Sequence, residues 1–280
     1  MHPMEPFVGA KPSSVAICIA GMHRSGTSMV ARLLNRCSVS LGPESDLLPA
    51  GPDNPDGFWE NRRFLAVNEA VLQRLGGSWT DPPRPAPRWE TKPDLEPLVR
   101  YAQRLTASLA LAGSWAWKDP VNSLTLPFWR HVVPGLRVLV CVRHPADVAA
   151  SLRARHGWPL EVGLELWRSY AQRILADGGP GGRVTTHYDA YFQDGRRELR
   201  RVVHALGLRV ADDVVAAALT SCRTALRHHR HVPADAALPP SVAIPYAVLC
   251  QEAGVDPELQ APRTPGVQRR SPTQPAPIVR

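Results

Sequence analysis

Lysine is almost missing from this chain, which has three (Lys11, Lys92 and Lys118) against thirty arginines. That matters because a nucleoside-triphosphate loop uses a lysine to reach the outer phosphates. Cysteines are few and odd in number: Cys18, Cys37, Cys141, Cys222 and Cys250. They form no CxxC pair and no zinc-ligand spacing, which argues against a disulfide scaffold and a metal site and favours a reduced, cytoplasmic setting. No run approaches the roughly 18 apolar residues of a membrane span. Residues 1–13 contain three prolines and no apolar stretch of signal-peptide length. The expectation is a soluble intracellular protein with no membrane partner.

Positive charge is abundant. The 280 residues carry a formal net charge of +8, a balance that favours anionic ligands. The arginines are dispersed, with no zinc-finger spacing and no RNA-binding aromatic signature, so nucleic acid is not the expected partner. The length suits a large core. A flexible N-terminus over 1–13 precedes one domain over 14–259. From 260 to 280 the chain is proline-rich, basic and aperiodic, and is expected to be disordered.

The most informative segment runs from Val15 to Ser28. Val15 to Ala20 is short, apolar and rich in β-branched residues, which predicts a buried strand. Gly21 and Gly26 then flank Met22-His23-Arg24-Ser25, and Thr27 and Ser28 open a helical stretch. A strand, a glycine-flanked loop and a helix aim backbone N–H groups and a positive helix end at an anion. The spacing nearly fits the triphosphate loop, but Thr27 stands where that motif has lysine. The loop's cation is Arg24, whose guanidinium suits a tetrahedral oxyanion. A P-loop kinase or NTPase is the alternative reading, and a tight turn with a surface arginine the plainest one.

A second strand-like run, Leu136 to Val142, ends in Arg143-His144-Pro145-Ala146-Asp147 and reaches Ser151 two turns into a predicted helix. Arg143 and Ser151 suit a second anionic group, several ångströms from the first. Further helices are predicted over Asn61–Leu75, Leu98–Leu111, Val121–His131 and Leu160–Ala176, and strands over Ser114–Lys118 and Arg183–His187. Leu41–Gly57 reads as a functional loop, and Asp81–Pro97, with six prolines, as an irregular surface excursion. Strands alternating with helices predict an α/β fold with a parallel sheet covered on both faces.

These segments resemble the sulfotransferases that use 3′-phosphoadenosine 5′-phosphosulfate (PAPS), in their bacterial branch. Arg24-Ser25-Gly26-Thr27-Ser28 is similar to the family's 5′-phosphosulfate loop, and Arg143 through Ser151 to its 3′-phosphate motif. Trp117-Lys118-Asp119-Pro120 resembles the KDP segment of tyrosylprotein sulfotransferases and related bacterial members. His187-Tyr188-Asp189-Ala190-Tyr191 with the basic helix after it resembles a late block of the fold, and Gly57-Phe58-Trp59-Glu60 a bacterial motif. The blocks span roughly 14 to 210 in the family's order. The resemblance implies a P-loop-NTPase-like parallel sheet and PAPS as donor. It places His23, Arg24, Ser25, Gly26, Thr27 and Ser28 at the 5′-phosphosulfate, Arg143 and Ser151 at the 3′-phosphate, and Tyr188 near the adenine. Met29 stands where many cytosolic members carry an adenine-packing tryptophan. The C-terminal 3′-phosphate loop has no clear counterpart; Arg227-His228-His229-Arg230-His231 is a basic candidate.

Sulfuryl transfer asks for positioning and charge stabilisation, which Arg24 and Lys118 are placed to supply. For Lys118, a structural ion pair with Asp119 is the alternative. The scheme requires no metal. Glu60 is the first candidate for the general base, because Phe58 and Trp59 beside it would desolvate it; a plain helix N-terminal acid is the alternative. Glu44 and Asp46 are its rivals. Trp79, Trp89, Trp115, Trp129 and Trp158 are candidates for an acceptor pocket or for the core. The acceptor, a small molecule or carbohydrate, is not fixed by the sequence, which leaves carbohydrate hydroxyls, phenols, lipids and peptide tyrosines open, and a catalytically idle nucleotide-binding protein is the third reading.

Overall fold

The computed structural model describes residues 14–51, 54–111, 113–177, 182–222 and 238–256. The expected flexible N-terminus, the basic segment Arg227–His231 and the expected disordered tail lie outside the described residues.

Four strands form one sheet: β1 (Ala16–Ala20), β2 (Trp115–Lys118), β3 (Arg137–Val142) and β4 (Val184–His187). The order is β2-β1-β3-β4 and every pairing is parallel. Ile19 sits beside Lys118 on one side and Leu139 on the other, and Val142 beside His187. The strands are apolar throughout because both faces are covered. Cys18, Ala20, Trp117, Val138 and Val140 face one core, and Ile17, Ile19, Ala116, Leu139 and Cys141 the other.

The first core is built with α2 (Arg62–Arg74), α3 (Glu96–Ala110), α4 (Asn122–Val132), α5 (Pro145–His156), α6 (Leu160–Ala176) and α9 (Pro240–Ala253). The second is built with α1 (Thr27–Arg36), α7 (Ala190–Ala205) and α8 (Asp212–Leu219). The doubly covered parallel sheet expected from the sequence is therefore the fold. β1 and β3 are neighbours, but α1 leaves toward one face and α5 toward the other. That divergence opens a crevice at the carboxyl ends of the strands, where open α/β sheets bind ligands.

Trp115, Trp117 and Trp129 are core residues, with Phe64 stacked 4.9 Å from Trp117 and Trp117 lying 4.8 Å from Trp129. The stretch Asp81–Pro97 is not wholly a surface excursion. It contains 3-10 turns at Trp89–Thr91 and Pro93–Leu95, and Trp89 and Leu95 are buried. Its prolines prevent a regular helix, while these two apolar side chains anchor it to the first core. Helix α9 was not anticipated, although Val242, Tyr246, Leu249 and Cys250 bury one face at helical spacing.

Candidate functional site

The glycine loop begins where β1 ends. The Gly21 N–H donates to Ser123 Oγ at 2.9 Å, and Gly21 has φ +137 with Cys141 so close that a Cβ would strike its carbonyl. Gly26 has φ +85 and carries the Tyr188 ring where its own Cβ would be. Ser25 N–H closes the turn on the Met22 carbonyl at 3.1 Å. Helix α1 then starts at Thr27, and its first turn contains no acidic residue. Its positive end is thus left for an outside anion.

The second arginine meets this loop directly. Arg143 leaves the end of β3, is almost fully buried, and donates from Nη1 to the Arg24 carbonyl at 3.3 Å. Its guanidinium lies 4.7 Å from the centre of the Tyr188 ring, and Asp147 is 3.6 Å away. Tyr188 follows β4, held by its N–H to the Val142 carbonyl at 2.7 Å, and its ring meets Phe192 at 5.1 Å. Arg24, at φ +68, donates from Nε to Ser151 Oγ at 2.9 Å. The two arginine segments, 119 positions apart, therefore adjoin.

A third group joins from β2. Lys118 is 1% exposed, donates to Ser28 Oγ at 3.1 Å, and forms an ion pair with Glu60. Burial lowers the Lys118 pKa, and the Glu60 carboxylate opposes that shift. Glu60 is buried just before Asn61, which caps α2 by accepting from the Arg63 N–H at 3.0 Å. Its Oε2 is buried and has no hydrogen-bond partner. The partner of Lys118 is thus Glu60, while Asp119 belongs to a different network. Asp119 accepts from Asn68 Nδ2 at 2.7 Å and from the Val121 N–H at 2.9 Å. Its pKa is raised to about 6 by burial, against the lowering effect of the Asn68 hydrogen bond.

Glu44 and Asp46 lie in a 3-10 turn, and neither is buried. Asp46 sits 4.0 Å from Arg63, so neither rival has the desolvation that Glu60 has. Ser25 is buried, its hydroxyl has no protein partner, and it borders a small pocket with Met22, Cys141 and Trp167. His23 is the loop residue whose surroundings differ most from expectation. Its ring lies 4.5 Å from Trp79 and 6.1 Å from Tyr170. Burial, then the cations Lys118, Arg155 and Arg24, lower its pKa to about 3. It is neutral at pH 7 and adds no positive charge to the loop.

Sequence reasoning missed Asn68. This side chain, 1% exposed, donates to Asp119 and Asn122 and accepts from Thr125 Oγ1 and Trp129 Nε1, both at 2.8 Å. It ties α2, which follows Glu60, to the turn that follows Lys118. Its signal was faint: one amide on the apolar face marked by Phe64, Val67 and Val71. Among the described residues no group of three or more His, Cys, Asp or Glu is arranged to hold a metal ion, and no helix is long and apolar enough to cross a membrane.

The glycine loop, Lys118, Arg143 and Tyr188 thus follow the carboxyl ends of the four parallel strands. The Sulfotransferase family model matches residues 16–212, and the chain belongs to that family. Among solved structures, the chain is similar to the sulfotransferase domain of the Synechococcus PCC 7002 olefin synthase. That match has 17% identity and a TM-score of 0.55, covering 91% of this chain and 99% of that one. The sulfotransferase domain of the curacin biosynthetic pathway matches at 13% identity and a TM-score of 0.51, covering 88% and 99%. These likenesses show the fold. No curated protein matches the chain.

Proposed function

We propose that the chain is a PAPS-dependent sulfotransferase that moves a sulfuryl group to a hydroxyl acceptor by in-line displacement. The observation that carries this reading is the convergence on one glycine loop of Arg24, which donates to Ser151, and of the Lys118–Glu60 pair, which meets Ser28. Cations and a carboxylate thus adjoin the N-terminus of α1.

The loop N–H groups and Arg24 hold the 5′-phosphosulfate end, and Arg143 with Ser151 holds the 3′-phosphate. Negative charge grows on the oxygen between phosphorus and sulfur as the S–O bond breaks, and Arg24 meets it. The acceptor oxygen forms its new bond to sulfur while its proton passes to Glu60 Oε2, which has no protein partner. As Glu60 is neutralised, the Lys118 ammonium loses its counter-charge and turns to the transferring sulfonate. Tyr188 supports Arg143 by cation–π contact. Its burial beneath that arginine leaves little of the ring for adenine.

Calorimetry with adenosine 3′,5′-bisphosphate and with ATP–Mg²⁺ tests the reading. The bisphosphate should bind in preference, whereas tighter binding of ATP–Mg²⁺ would favour a P-loop kinase or NTPase. Arg24→Ala should lower transfer from radiolabelled donor on the order of 10³-fold, by analogy with an arginine finger. Unchanged turnover would remove Arg24 from the mechanism. Arg143→Ala should weaken the bisphosphate far more than its analogue lacking the 3′-phosphate, and equal losses would refute that assignment.

A further inference from the structure

Four rings gather on one flank of the glycine loop. His23 lies 4.5 Å from Trp79, and Trp79 lies 5.7 Å from Trp158 and 6.0 Å from His156. His156 stacks on Trp158 at 4.4 Å and 18°. The two tryptophans come from separate connections, one after α2 and one after α5. Both are half-buried and His156 is exposed, whereas Trp89, Trp115, Trp117, Trp129 and Trp167 are core. Clustered aromatic surface in contact with a polar loop is the kind of exposure that marks a ligand.

A second observation points the same way. His23 Nε2 is buried and has no hydrogen-bond partner. A buried polar atom in that state asks for a partner that the protein does not supply. The opposite flank is spoken for by Tyr188 and Phe192. Phe192 packs with the core on the α1 face, whereas Trp79 and Trp158 pack with the core on the other face. The loop thus has one aromatic flank beside Arg143 and another beside Arg24. The cations that bear on His23 include Lys118, Arg155 and Arg24. A saccharide's many hydroxyls call for acceptor groups, but a flat ring bearing an ionisable hydroxyl suits π faces ringed by positive charge.

Resting on the sulfotransferase reading above, we propose that Trp79, His156 and Trp158 form the acceptor platform and that the acceptor is a phenol. Its ring stacks on the shelf and its hydroxyl enters the site beside His23 Nε2 and Arg24. Trp79 and Trp158 are specificity-determining residues on this account.

Calorimetry of the full chain saturated with adenosine 3′,5′-bisphosphate tests it, with 2-naphthol as probe and cyclohexanol and methyl glucoside as comparisons. The naphthol should bind more tightly than either comparison. Trp158→Ala should weaken it about tenfold and Trp158→Phe much less, with bisphosphate affinity unchanged in both variants. That unchanged affinity also reports that the variants are folded. Failure of 2-naphthol to bind a protein that holds the bisphosphate overturns the phenol assignment alone. So does tighter binding of the glucoside, or indifference to Trp158→Ala. Failure of the bisphosphate itself overturns the sulfotransferase reading and this proposal with it.

Discussion

Replacing Glu60 with glutamine keeps the shape of the side chain but removes the charge that faces Lys118. The Lys118 side chain is 1% exposed and that of Glu60 11%, so water cannot replace the lost partner. Removing one member of a buried pair typically costs 3–5 kcal/mol, because the other charge is left uncompensated. About 3 kcal/mol is expected here, given the added hydrogen bond from Lys118 to Ser28. The Lys118 pKa, already below its ordinary 10.5 through burial, should fall further. Between that lowered value and 10.5 the unfolded chain binds more protons than the folded one, so stability rises with pH. The deficit of Glu60→Gln should therefore shrink as pH rises toward 10.5. Urea denaturation of the two single variants and of Glu60→Gln/Lys118→Met would measure this. The double variant should recover most of the loss while transfer activity stays absent. Single losses that add within about 0.5 kcal/mol would refute the coupling. Activity that returns with stability would refute the assigned chemistry.

Other consequences can be measured separately. Gly26→Ala puts a methyl group into the Tyr188 ring at φ +85, so bisphosphate affinity should fall more than about tenfold; unaltered binding would mean that the ring moves freely. Gly21→Ala meets the backbone of neighbouring β3 instead, and should give a destabilised chain in thermal melts. His23 should show no NMR titration between pH 5 and 8, since its pKa lies near 3. From 6.5 down to about 3 the unfolded chain binds the extra proton, so acid destabilises the fold through this residue. His23→Phe should flatten that part of the stability profile.

Much of the fold was legible because the strands are short apolar runs and the helices bury one face, patterns set by local periodicity. The glycine loop was legible for a similar reason: Gly21 and Gly26 stand where positive φ and close approach exclude other residues. The adjacency of Arg24 and Ser151, 127 positions apart in the chain, was not, because it follows from β1 and β3 pairing while their helices diverge. Nor could the sequence choose between Asp119 and Glu60 as the partner of Lys118. The neighbour in the chain was the natural candidate, yet alternation along β2 and the amide of Asn68 take Asp119 elsewhere. Of five tryptophans considered for an acceptor pocket, three went to the core, and only packing separates them from Trp79 and Trp158.

The Asn68 network fastens α2 to the Lys118–Asp119 turn midway between Glu60 and the proline-rich connection that follows Leu75. The exposed part of that connection, around Trp79 and ahead of the buried Trp89, can change in length or sequence without shifting the Glu60 carboxylate relative to the Lys118 ammonium. A lineage built on this scaffold can vary that rim while the buried pair stays where it is.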